Sequence, residues 1–119
     1  MMNEIKDDKY TVTYHPDDAS VIFGGSLMLN GAPAYEPILN LLKDAAETQE
    51  PNPLTLDIRC LQFINSSGIN MMTKFVMYIS EIKELKLNVT LLSSQHVAWQ
   101  RKLSTNLQRL MPHLLEKLE

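Results

Sequence analysis

Apolar and polar positions alternate near the start of the chain: Tyr10, Val12 and Tyr14 are interleaved with Thr11 and Thr13, and Val21-Ile22-Phe23 follows the turn-like HPDDAS. A period of two belongs to a half-buried strand, so the pattern predicts an antiparallel β pair. After the turn signal Asn30-Gly31 the period changes. Tyr35, Ile38, Leu39, Leu42, Ala45 and Ala46 recur at helical spacing over 34–49, with Pro33 and Pro37 confined to the start, where a helix tolerates them. EPNP (Glu50 to Pro53) breaks that helix, and Leu54, Leu56 and Ile58 then alternate with Thr55, Asp57 and Arg59 as a third strand. From about Ser66 to Lys86, Ile69, Met72, Phe75, Val76, Ile79, Ile82 and Leu85 follow the i, i+3, i+4, i+7 rule, the strongest helical pattern in the chain. NVTLL (Asn88 to Leu92) makes a fourth strand. Ala98, Trp99, Leu103, Leu107, Leu110 and Met111 line a third helix, which Pro112 interrupts.

The predicted order is ββαβαβα. Strands three and four, joined by a long helix, are expected to be parallel with a right-handed crossover. The fold class is therefore α/β: a mixed four- or five-stranded sheet covered by helices, in a single domain spanning 1–119. Residues 1–8 are expected to be flexible. The tail PHLLEKLE (112–119) is compatible with a short helix or with a segment lying extended along the sheet, and eight residues of pattern do not choose between them.

Composition narrows the function. The chain has 119 residues, 45% hydrophobic and 21% charged, as expected of an ordinary globular protein with one core. The net charge of −3 conceals an asymmetry: residues 1–50 carry nine acids against three Lys or Arg. No basic face interleaved with aromatics appears, so no nucleic-acid partner is expected. The longest uninterrupted apolar run, Phe75 to Ile79, is far too short to span a membrane, and MMNEIKDDKY lacks the features of a secretory signal, so a cytoplasmic location is expected. Cys60 is the single cysteine, which excludes an internal disulfide.

The candidate chemistry centres on Asn65-Ser66-Ser67-Gly68, at the mouth of the second helix. Asn and Ser are preferred N-caps, since their side-chain oxygens accept from the free N–H groups of the first turn, and capping alone can account for the serines. The same position makes a hydroxyl accessible and favours an anion attached to it. Gly68, without a Cβ, would leave room for a partner to approach the backbone. The histidines, His15, His96 and His113, lie far apart with no metal-ligand spacing and no nucleophile signature, so neither metal, cofactor nor enzymatic activity is expected. Cys60 reads as a small packing residue, FGGS (Phe23 to Ser26) as a bulge or turn rather than a phosphate loop, and Trp99 as the residue pinning the third helix to the sheet.

From the third strand through that turn to the third helix, LTLDIRCLQFINSSGINMMTKFVMYISEIKELKLNVTLLSSQHVAWQRKLSTNLQRL (54–110) resembles the STAS domain of bacterial anti-sigma factor antagonists. In that family a D-S-S-G-like loop opens the second helix, and FGGSLML looks like its Gly-Glu-Leu-Asp segment. Asn65 stands where an acid commonly precedes the serine pair, and Met28 where an Asp often follows. The resemblance implies phosphorylation of Ser67 by a partner that is both serine protein kinase and anti-sigma factor, with ATP held by the partner. Asn65, Ser66, Ser67 and Gly68 would form the contact loop, and Asn70, Thr73 and Lys74 candidate contacts on the second helix. The alternative is a constitutive STAS docking or adaptor module in a larger signalling or transport complex, whose serines only cap the helix.

Overall fold

The alternating segments pair as strands and the 3.6-period segments pack as helices on them. The structure is a computed structural model that describes residues 3–119. In chain order the described elements are β1 (Glu4–Lys6), β2 (Tyr10–His15), β3 (Ser20–Leu27), α1 (Gly31–Gln49), β4 (Leu54–Ile64), α2 (Ser66–Met77), β5 (Val89–Ser93), α3 (Ala98–Leu110) and β6 (Leu115–Leu118). They make one α/β domain built on a single six-stranded mixed sheet in the order β1-β2-β3-β4-β5-β6. β1, β2 and β3 are antiparallel, and β3 to β6 are parallel.

Each parallel step passes through one helix and always moves in the same direction across the sheet. Right-handed crossovers of that kind place α1, α2 and α3 on the same face. The core lies there, with Val12, Phe23, Leu56 and Leu91 of the sheet buried beneath Tyr35, Leu42, Phe75 and Leu107. Trp99 is half-buried against this core and donates its Nε1–H to the Gln62 carbonyl at 3.1 Å, so it pins α3 as its position suggests.

The sheet has six strands rather than four or five because both chain ends join it. Within the segment expected to be flexible, Glu4–Lys6 pairs with β2, and Ile5 packs on the core; Met1 and Met2 lie outside the described residues. The tail takes the extended alternative: Leu114 is buried, and β6 continues parallel to β5.

Three boundaries also differ. The third strand does not stop at Arg59 but runs to Ile64, because β4 carries two bulges, where the register passes from Ile22↔Asp57 to Gly24↔Cys60 and from Gly25↔Leu61 to Ser26↔Phe63. Each bulge inserts a residue, so the buried side chains Ile58, Leu61 and Ile64 fall three apart and the alternation disappears from the sequence. α1 starts at Gly31, in the left-handed region at φ 83°, so Pro37 sits inside the helix. α2 ends at Met77 and passes into a π-helical turn over Tyr78–Ile82, closed by Lys83 N–H on the Tyr78 carbonyl. The wider turn shifts the helical register, and Ile82, assigned to the apolar face by its spacing, is 68% exposed.

Candidate functional site

One residue, Asn65, separates β4 from α2, and its side chain organises the turn. Oδ1 accepts from the Gly68 N–H at 2.9 Å and from the Tyr35 hydroxyl at 2.7 Å, while Nδ2 donates to the Leu29 carbonyl at 2.8 Å. The Leu29 N–H in turn donates to Tyr35 Oη at 3.3 Å. Asn65 is thus the N-cap of α2 and also ties α2 to α1 and to the loop after β3. A carboxylate can supply the accepting half of this network but not the donor to Leu29, which gives the amide here a structural reason. Tyr35, only 1% exposed, has its hydroxyl pKa raised chiefly by burial, so it stays a donor. The helical pattern marked Tyr35 as a core residue only. The available signal was its buried phenol, which must find a partner.

Gly68 serves the interior and not an approaching partner. A Cβ built on it would lie 2.5 Å from Ile64 Cγ1 and 2.8 Å from Tyr35 Oη, and the residue is buried. The expectation that its missing side chain leaves room outside is therefore corrected: the space is already filled by the protein's own side chains. Gly68→Ala is expected to lower the unfolding free energy by about 1–3 kcal/mol through overpacking, read by denaturant titration. A stability equal to wild type would mean that Ile64 can move aside freely.

The two serines diverge. Ser66 is exposed, whereas Ser67 is half-buried and faces a groove of about 230 Å³ between α1 and α2. Ala32, Tyr35, Leu39, Asn70, Met71, Thr73 and Lys74 complete its lining. The structure therefore gathers Ser67, Asn70, Thr73 and Lys74 at one surface, leaves Ser66 outside the groove lining, and turns Asn65 and Gly68 toward the fold. A second depression lined by Pro33, Glu36, Asn40 and Lys43 shares Ala32, Leu39 and Lys74 with the first, so the groove continues along α1.

At the far end, Lys43 Nζ stands 4.6 Å from the centre of the Tyr78 ring, and Tyr78 donates to Glu47 Oε1 at 2.5 Å. That bond to a carboxylate, with minor help from desolvation, pushes the Tyr78 pKa up to about 12. Lys83 lies 4.0 Å from the same carboxylate. These contacts hold α1 and α2 together beyond the groove.

Other features bear on the site. Met28, 58% exposed, and Phe63, 45% exposed, stand at the same end of β3 and β4 as the turn; no periodicity or motif marks Phe63 as a surface residue. Cys60 is exposed rather than packed, because the first bulge carries it out of the alternation. Among the described residues no group of three His, Cys, Asp or Glu side chains is arranged to hold a metal ion, and no helix is long and apolar enough to cross a membrane.

A six-stranded mixed sheet with all three helices on one face is a STAS-like fold. Among solved structures the chain is similar to SiaC from Pseudomonas aeruginosa. In the complex of the diguanylate cyclase SiaD with its activator SiaC, the match has a TM-score of 0.69 at 11% identity, covering 97% of this chain and 96% of that one. Apo-SiaC matches with a TM-score of 0.67 at 13% identity over 99% of both chains, and another SiaC structure with 0.62 at 11% over 98% and 96%. No protein-family model and no curated protein matches the sequence. At such identities the likeness establishes the fold.

Proposed function

We propose that the chain is a signalling module that acts by binding another protein through the α1–α2 groove and the serine turn at its end, with Ser67 as a phosphorylation switch. The observation that carries this reading is the convergence of Ser67, Asn70, Thr73 and Lys74 on one open groove. Its floor is apolar at Tyr35, Leu39 and Met71, and Lys74 supplies a cation, a composition suited to a protein surface.

The partner is a signalling enzyme. The sequence resemblance supports a serine kinase of the anti-sigma type, and the likeness to SiaC, the activator of a diguanylate cyclase, supports a partner of that broader class. With a kinase, the γ-phosphoryl group of ATP held by the partner passes to Ser67 Oγ, the hydroxyl proton leaves to a base of the partner, and ADP departs. The chain itself catalyses nothing. The phosphate adds a charge of about −1.5 to −2 in the first turn of α2, where the helix dipole tolerates it, and changes the docking surface without touching the core. The cap that Asn65 places on the Gly68 N–H supports the second reading, constitutive docking, because the turn has a stabilising contact without modification.

Intact-mass and phosphopeptide analysis of the protein from its native cells, beside Ser67→Ala, tests the switch. One phosphate at Ser67, absent in the variant, is the expected result. Partner capture without phosphate under every growth and stress condition would leave constitutive docking. Lys74→Glu is expected to weaken capture at least about tenfold, consistent with a charge contact at an interface; undiminished capture would remove the groove as the docking site.

A further inference from the structure

No described element pairs with the outer side of β1, and the hydrogen-bond ladder fixes which backbone groups that edge presents. Tyr14 N–H donates to the Asn3 carbonyl at 2.7 Å and Asp7 N–H to the Tyr10 carbonyl at 2.9 Å. Asn3, Ile5 and Asp7 therefore turn their backbone groups inward to β2, and by alternation Glu4 and Lys6 present theirs at the edge. The Glu4 and Lys6 side chains are exposed on the face of the sheet away from the helices, while Ile5 packs on the core.

A short, charged edge strand ordinarily resists a further strand. Here the two charges are opposite in sign and flank Ile5 symmetrically, so the edge resists self-pairing in every register but one. Two copies related by a two-fold axis perpendicular to the sheet pair antiparallel, with their faces aligned, in three registers centred within β1. Centring on Glu4 sets Glu4 against Glu4, and centring on Lys6 sets Lys6 against Lys6. Centring on Ile5 sets Glu4 against Lys6 on both sides of the axis, Ile5 against Ile5, and Asn3 against Asp7 at either end. The outward backbone groups meet in the same register, because Glu4 of one copy and Lys6 of the other exchange both of their N–H···O bonds. We propose that β1 pairs with β1 of a second copy of this chain in this register, joining the two sheets edge to edge.

The surrounding charges agree with that register. Glu4 Oε2 accepts a long bond of 3.4 Å from Thr13 Oγ1, and Lys6 has no ion-pair partner among the described residues, so both are available. Asp7 lies on the opposite face from Lys6, accepts from the Asp8 N–H and meets an uncharged Asn3 in the pairing. Asp8 and Lys9, in the turn beyond, are of opposite sign. The other edge of the sheet offers no such match: centring β6 on Glu116 or on Lys117 opposes like charges, and Lys117 already pairs with its own Glu119 at 3.3 Å.

The contact is short, well under the roughly 1,000 Å² of a stable interface, so the dimer forms in the upper micromolar range. Its axis stands perpendicular to the sheet, which leaves both α1–α2 grooves facing the same way. A partner with two sites would therefore gain by simultaneous engagement.

NMR on the full chain from about 20 μM to about 2 mM spans such a constant. The expected result is that the amide signals of Glu4, Ile5 and Lys6 shift with concentration, those of β6 stay in place, and the diffusion coefficient falls. Glu4→Lys alone, or Lys6→Glu alone, is expected to weaken self-association at least about fivefold, since each opposes like charges on both sides of the axis. An equimolar mixture of these two variants is expected to associate at least as tightly as wild type, because every Lys then faces a Glu. A monomer at every concentration overturns the proposal, as does association that is indifferent to the single reversals or is not restored in the mixture. Neither result bears on docking at the groove, whose lining lies on α1 and α2.

Discussion

Asn65→Ala is expected to lower the unfolding free energy by about 3 kcal/mol, measured by urea or guanidinium titration. Loss of an N-cap contributes about 1 kcal/mol. The Leu29 carbonyl loses its donor and the Tyr35 hydroxyl its acceptor, both in part-buried surroundings, and each such orphan costs about 1 kcal/mol or more. Tyr35→Phe separates the contributions: it removes one hydroxyl and leaves the cap in place, so a loss of only about 1 kcal/mol is expected. Asn65→Asp falls between the two, because the carboxylate keeps both accepting roles and turns an oxygen toward the Leu29 carbonyl. If Asn65→Ala proves no worse than Tyr35→Phe, the side chain is a simple cap and does not join α1 to the serine turn.

The second large effect lies under α3. Gln100 is fully buried, and its amide is completely engaged: Oε1 accepts from the Ser94 N–H at 2.8 Å, and Nε2 donates to the Ile58 and Leu61 carbonyls at 2.7 Å and 3.0 Å. Those two carbonyls belong to the bulged part of β4, so one side chain satisfies the backbone that the bulges disturb. Gln100→Leu preserves the shape and removes every partner. With each buried unsatisfied group costing about 1–3 kcal/mol, a loss of about 3 kcal/mol or more is expected, with α3 losing its hydrogen-exchange protection first. A loss under about 1 kcal/mol would show that the carbonyls find other donors when β4 relaxes.

The serine turn and the Gln100 staple illustrate two kinds of legibility. Asn65-Ser66-Ser67-Gly68 stood out because a polar cluster between a strand and an amphipathic helix is a local signal, and the cap it announced is present. Asn70, Thr73 and Lys74 followed from the same helix, since positions opposite the apolar stripe repeat with its period. Tyr35 and Gln100 left no comparable trace. Each is important through a contact thirty or more residues away in the chain, and a polar atom inside a helical pattern looks the same whether it reaches solvent or a distant carbonyl. Gly68 was visible as a glycine, but the reason for it, the Ile64 and Tyr35 side chains against its Cα, was not.

By itself the sequence determined the order of the main elements, the parallel crossover between the third and fourth strands, most of the core face of each helix, with Ile82 and Leu110 as exceptions, and the position of the serine turn. All of these follow from residue periods and from caps and breakers acting over a few positions. Only the tertiary structure decided that both chain ends complete the sheet, that β4 bulges twice, that α2 gives way to a π turn at Tyr78, and that one face of the sheet is left without helices. Short edge strands such as Glu4–Lys6 and Leu115–Leu118 carry too few residues to show a period and are stabilised by pairing with β2 and β5. Bulges and the choice of covered face are set by long-range pairing and packing, which no window along the chain contains.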